Sequence, residues 1–168
     1  MGMAAYGEPR FEAEVLKVLR PHEDGSFSVD QQYVKYHDSA TDSYTQAFAD
    51  LFGEPRFPGA LFDPTTEQGK HWADVAASIQ KVTEDCLVGL AKRIHADTGM
   101  ENLCMAGGVA LNSVANLEVL IRSPFKRLHV HPAAGDSGGA AGAALWAHND
   151  VLGGKRGAPM LQAGIGKS

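Results

Sequence analysis

Leu103-Cys-Met-Ala-Gly-Gly-Val-Ala-Leu-Asn112 and Pro132-Ala-Ala-Gly-Asp-Ser-Gly-Gly-Ala-Ala-Gly-Ala-Ala144 follow one plan. An apolar strand runs into a glycine turn, and the turn runs into an alanine-rich helix. Glycine lets the backbone approach a ligand closely, and the free N–H groups at a helix start favour an anion. Two such turns in succession, with Asp136 placed 24 residues after Asn112, predict a phosphate- or nucleotide-binding floor on an α/β scaffold.

Outward from these turns the pattern stays α/β. Asn102 to Ala106 and Arg127 to His131 read as strands, Ala110 to Ile121 and Ser137 to His148 as the helices that follow them. Before them, Trp72, Val75, Ala76, Ile79, Val82, Cys86, Leu87, Leu90 and Ile94 recur at threes and fours, the spacing of one buried helical face. The spacing predicts one long helix from about Glu67 to Thr98, ended by Gly99. Helix, strand, turn, helix, strand, turn, helix implies right-handed crossovers and a parallel strand pair. Nearer the N-terminus, Phe11 to Leu19 and Tyr44 to Phe52 suit short helices. Ser26–Val29 and Gln32–Tyr36 suit an edge hairpin, and Gly53 to Pro64 a surface loop. From Gly153 to Ser168 the chain is glycine-rich and unpatterned, like a linker.

Bulk composition narrows the class. At 168 residues the chain has length for one domain and hardly two. A net charge of -5 without any Lys/Arg block argues against nucleic-acid binding. No apolar run reaches the roughly 20 residues of a membrane span, and no secretory leader pattern opens the chain. Cys86 and Cys104 lie in apolar patterns, so both are expected as buried free thiols in a cytoplasmic protein.

Two readings are open for Asn112. It could reach a phosphate, ribose or base edge from the first helical turn beyond Gly107 and Gly108, or it could only hydrogen-bond locally. Asp136, between Gly135 and Ser137, is either a helix N-cap worth roughly 1 kcal/mol or a carboxylate suited to a hard or borderline cation. Seven histidines contain no i, i+4 pair, so no two-His helical clamp exists. His129 and His131 share a strand face by spacing. Glu84 and Asp85 read as a solvated helix face. Gly164-Ile-Gly-Lys-Ser168 has a P-loop-like ending, but Leu161 stands where that motif's first glycine belongs. No residue declares itself as a catalytic acid, base or nucleophile.

Three motifs carry a resemblance. Met1-Gly-Met-Ala-Ala-Tyr-Gly7 resembles the Met-Gly-Leu-Ala-Pro-Tyr-Gly loop of the nodulation and cephamycin O-carbamoyltransferases. Gly107-Gly-Val-Ala-Leu-Asn112 and Pro132-Ala-Ala-Gly-Asp-Ser-Gly138 with Gly142-Ala-Ala144 are similar to that family's next two motifs in order and spacing. The resemblance implies the second lobe of an actin-like, ribonuclease-H-like (ASKHA) domain over residues 1–152. Residues 153–168 would be a linker towards a YrdC-like domain. It implies carbamoyl phosphate and ATP as substrates, carbamoyl adenylate as the intermediate, and a small-molecule hydroxyl as acceptor. Gly107, Gly108, Asn112 and Gly135 would bind the nucleotide, and Asp136 would be a carboxylate ligand of a divalent metal, Fe(II) by resemblance.

The departures carry expectations of their own. The family's two metal histidines form an H-x-x-x-H motif upstream of the first loop, and this sequence has none. Met1 falls inside a family motif, so the first lobe would lie before it, and the isolated chain is expected to be inactive. Surface left bare by the missing lobe would favour a homodimer. A looser similarity extends to the tRNA threonylcarbamoyl-adenosine synthase, whose Asp-Asn-Gly form fits less well than Ala133-Ala-Gly-Asp136. A non-catalytic nucleotide-binding or assembly module is the alternative from another class.

Overall fold

A computed structural model describes residues 1–57 and 59–158. The chain is built around one helix, α3 (Glu67–Thr98), whose 32 residues span about 48 Å at 1.5 Å per residue. Both ends are capped. Thr66 Oγ1 accepts the Gly69 N–H at 3.0 Å, and Gly99 takes the left-handed conformation (φ 65°) while its N–H returns to the His95 carbonyl.

α3 is buried on more than the one face that the apolar spacing predicts. One flank receives α1 (Glu12–Val18), α2 (Gln46–Phe52) and a short antiparallel hairpin, β1 (Leu19–Pro21) with β2 (Phe27–Val29). Val15, Phe52, Val75, Val82 and Cys86 form the core there, with Phe11, Phe48 and Trp72 packed against it. Another flank receives α4 (Ser113–Arg122), where Val88 and Ala91 meet Val119 and Phe125. Glu84, expected in solvent, is therefore buried at 8% exposure, and Asp85 is held between Lys81 and Arg122.

The expected parallel pair is present. β3 (Asn102–Met105) lies alongside β4 (Arg127–Val130) with Leu103 opposite Leu128 and Cys104 opposite His129. Leu103 and Met105 pack towards the Val88–Val119 core, whereas Cys104 and His129 are exposed. Cys86 is buried as expected, but Cys104 is not, because strand alternation turns it away from α3 and α4.

Two local expectations change. The hairpin forms one strand earlier, because α1 runs directly into β1 at Leu19, and Gln32–Tyr36 contributes only a Val34–Tyr44 bridge. Each glycine turn also opens on a 3-10 turn before its α-helix: Gly108–Leu111 precedes α4, and Asp136–Gly138 precedes α5 (Gly139–Trp146). The P-loop-like ending at 164–168 lies outside the described residues. No helix among the described residues is long and apolar enough to cross a membrane.

Candidate functional site

Parallel strands deliver both glycine turns to the same sheet edge, since β3 and β4 end side by side. Ligands of α/β sheets bind outside the carboxyl ends of the strands. Gly107 adopts φ 101°, a conformation that a side chain would strain, and its N–H donates to the Ala134 carbonyl at 2.8 Å. That bond ties the first turn to the second. The contact is close: a methyl group on Gly135 would sit 3.4 Å from Leu111 Cδ1 and 3.8 Å from Gly108 Cα. Gly138 is needed for the second turn itself, because a Cβ there would fall 2.0 Å from the Ala133 carbonyl oxygen.

A cavity of about 470 Å³ lies over this edge, lined by Gly107, His131, Gly135, Asp136 and Gly142 among others. The N–H groups of Gly108, Val109, Asp136 and Ser137 open the two 3-10 turns and have no backbone partner among the described residues. Of the four residues Asp136 lines the cavity, and the other three lie outside its lining. Gly139 and Gly142 have open space where a side chain would stand.

The structure separates the predicted residues by position. Gly107, Gly135 and Asp136 line the cavity. Asp136 is exposed and is the first residue of its turn, so the N-cap position expected for it falls on Gly135 instead. Gly108 lies beside Gly135, outside the lining. Asn112 sits behind the turn at 8% exposure and is the N-cap of α4. Its Oδ1 accepts the Ala115 N–H at 3.1 Å and a Gln80 Nε2–H at 3.2 Å, and its Nδ2 donates to Gln80 Oε1 at 2.9 Å. Gln80 in turn donates to Glu84 Oε1 at 2.7 Å. Sequence reasoning missed Gln80 and Glu84, for their partner lies on another element; position alone shows only two polar residues one turn apart on a helix.

The histidine pair divides. β4 ends at Val130, so His129 stays on the exposed strand face while His131 reaches the cavity wall, where its Nδ1 accepts the Ala133 N–H at 3.0 Å. No group of three His, Cys, Asp or Glu side chains among the described residues could hold a metal ion. From these groups the cavity can therefore offer an anion the Asp136 N–H, with those of Gly108, Val109 and Ser137 on the adjoining turns, and a cation the exposed Asp136 carboxylate.

The N-terminal motif is anchored elsewhere on α3. Glu8 N–H donates to Asp74 Oδ1 at 2.7 Å and Phe11 N–H to Ser78 Oγ at 2.9 Å. Burial pushes the Asp74 carboxyl up, but the Glu8 N–H together with Lys70 and Arg10 holds it below the usual carboxylate range. Gly7 lies against the Ala73 backbone, where a Cβ would come within 2.1 Å.

The family model described as carbamoyltransferase N-terminus matches residues 1–145, which takes in the anchored loop and both glycine turns. The chain belongs to the carbamoyltransferase N-terminus family. Among its relatives, an uncharacterized protein of Synechocystis is 44% identical over 146 residues, covering 86% of this chain and 23% of its own length. The nodulation protein NolNO of Sinorhizobium fredii is 30% identical over 158 residues, covering 90% and 20% respectively. The nodulation protein NolO of Bradyrhizobium diazoefficiens is 39% identical over 88 residues, covering 52% and 16%. The chain thus spans less than a quarter of the length of each of these relatives.

Proposed function

We propose that this chain forms part of an ATP-dependent O-carbamoyltransferase and supplies the floor on which carbamoyl adenylate is held. The observation that carries the reading is the pair of glycine turns, bonded through Gly107 and Ala134 at the ends of two parallel strands, in a chain of the carbamoyltransferase N-terminus family. In this reading residues 1–152 are the second lobe of an actin-like domain, and the enzyme is cytoplasmic.

The chemistry follows from where charge appears. Water hydrolyses carbamoyl phosphate to carbamate and phosphate. A carbamate oxygen then bonds to the ATP α-phosphorus, the α–β phosphoanhydride bond breaks, and pyrophosphate leaves to give carbamoyl adenylate. In the transfer step an acceptor hydroxyl oxygen bonds to the carbamoyl carbon, the bond from that carbon to the adenylate phosphate oxygen breaks, and AMP leaves. The hydroxyl proton passes to a base that the described residues do not identify. Negative charge grows on the departing phosphate, and preorganised N–H groups aimed at it lower the barrier. In this reading Asp136 at the cavity wall, with Gly108, Val109 and Ser137 on the adjoining turns, would supply such groups. Gly107 and Gly135 keep the surface bare so that a phosphate can approach, and Asn112 fixes the turn that carries Gly108.

A divalent metal, Fe(II) in the resembling family, would supply Lewis-acid polarisation of the carbamoyl carbonyl. Asp136 fits one ligand position: it is exposed and at the cavity wall, and the N-cap of its turn is Gly135. The described residues do not complete a ligand set, so no step is routed through the metal, and the isolated chain is expected to be inactive in transfer. Bare apolar surface on α4 and α5 favours self-association.

Calorimetry with AMP and ADP, with and without ferrous iron, tests the reading. Saturable nucleotide binding, with an iron effect that disappears in Asp136→Ala, is the expected result. Nucleotide binding that iron never alters removes Asp136 from the metal; absence of any nucleotide binding removes the floor.

A further inference from the structure

The Asn112 side chain is engaged through both its oxygen and its nitrogen, with one of its two Nδ2–H bonds committed to Gln80. Its oxygen accepts from Ala115 and Gln80, and its Nδ2 donates to Gln80. The Gln80 amide cannot turn over without loss, because its Nε2 also donates to Glu84, a carboxylate at 8% exposure that only accepts when ionised. Glu84 therefore orients Gln80, Gln80 orients Asn112, and Asn112 caps α4 immediately beyond the Gly108–Leu111 turn. Releasing Asn112 towards a ligand would leave Gln80 and the Ala115 N–H unpaired in a buried place.

We propose that Gln80, oriented by Glu84, is a positioning residue for the glycine-turn floor: it engages the Asn112 amide so that ligand phosphate meets backbone N–H groups, while Asn112 holds the turn. The proposal rests on the nucleotide-floor reading and adds what that reading lacks, a link from α3 to the turn. α3 thereby sets both family motifs, the N-terminal loop through Asp74 and Ser78 and the glycine turn through Gln80. The two anchor points lie six residues apart, about 9 Å along the helix at 1.5 Å per residue.

The test is solution NMR on the isotope-labelled 168-residue chain, with AMP as the probe. Three proteins are compared: wild type, Gln80→Leu, and the exchange Gln80→Glu with Glu84→Gln. The exchange keeps an acceptor for Asn112 Nδ2 and a bond between positions 80 and 84. In wild type the Asn112 side-chain amide should exchange with solvent at least about tenfold more slowly than that of exposed Asn102. Gln80→Leu should abolish this protection and move the Gly107 and Gly108 backbone signals, and the exchange variant should recover part of both. AMP should move the Gly108 and Val109 N–H signals while Asn112 stays protected.

Loss of Asn112 protection on AMP addition would overturn the proposal by making the side chain itself a ligand contact. Glycine-turn signals unmoved in Gln80→Leu would overturn it from the other side. If AMP moves nothing, the nucleotide reading fails, and the ligand-free comparison still decides whether Gln80 positions the turn. Should Gln80→Leu not fold, Gln80→Ala, which also removes the amide, takes its place in the same comparison.

Discussion

The N-terminal loop and the glycine-turn edge both lean on α3, but they use glycine in opposite ways. At Gly7 the missing side chain is filled by the Ala73 backbone, so the glycine serves packing. At Gly139 and Gly142 the missing side chain leaves open space over a cavity. The helices differ likewise. α1 and α2 place Val15 and Phe52 in the core, whereas α5, the more apolar segment, buries no residue and leaves Trp146 63% exposed. One region is explained by its own contacts. The other has few contacts of its own and leaves its apolar side chains exposed.

Breaking the packed side should cost the most. Phe52→Ala, at a site 1% exposed, should destabilise the chain by about 3–5 kcal/mol in a denaturant titration. Gly7→Ala should cost about 2–3 kcal/mol, because backbone must move to admit the Cβ. Gly142→Ala meets nothing within 4 Å and should leave stability unchanged or raise it by up to about 1 kcal/mol. Equal losses for these two glycines would erase the contrast.

Two carboxylates on α3 sharpen it through pH. Burial opposes ionisation of both Asp74 and Asp85, yet their partners hold both below the usual carboxylate range: the Glu8 N–H with Lys70 for the first, Lys81 with Arg122 for the second. A carboxyl whose pKa folding lowers adds stability above its unfolded value, about 3.9 for Asp, and loses it as pH falls through the folded value. Melting temperature should therefore drop on acidification below about pH 4, and Asp74→Asn should flatten that limb more than Asp85→Asn, since the Asp85 side chain is 32% exposed. At the small end, Trp146→Ala should shift stability by no more than about 0.5 kcal/mol, although it should change any tendency to self-associate seen by light scattering.

How much of this was legible in the sequence differs by element. The long helix could be read because its apolar spacing and its Thr98-Gly99 stop act locally, and the strand–turn–helix units could be read because glycine marks the turns. The hairpin was displaced because Leu19 ends a helix and begins a strand at once, which no periodicity reports. The burial of Glu84 is not legible from its helix alone, because its partner Gln80 is tied to Asn112, 32 residues further on. Of the site, Gly107, Gly135 and Asp136 were legible as one cavity wall. The committed amide of Asn112 was not, since a helix cap and a ligand contact ask for the same residue type.

The most direct test of the central claim is ADP affinity measured by calorimetry for wild type and Gly142→Leu, with melting temperature as the folding control. Gly142 lies on the cavity wall, in helix, with open space for the new side chain. The account predicts saturable binding to wild type and at least about a tenfold loss, roughly 1.4 kcal/mol, in a variant that melts no earlier. Equal affinity in the two proteins, or no saturable binding to wild type, would contradict it.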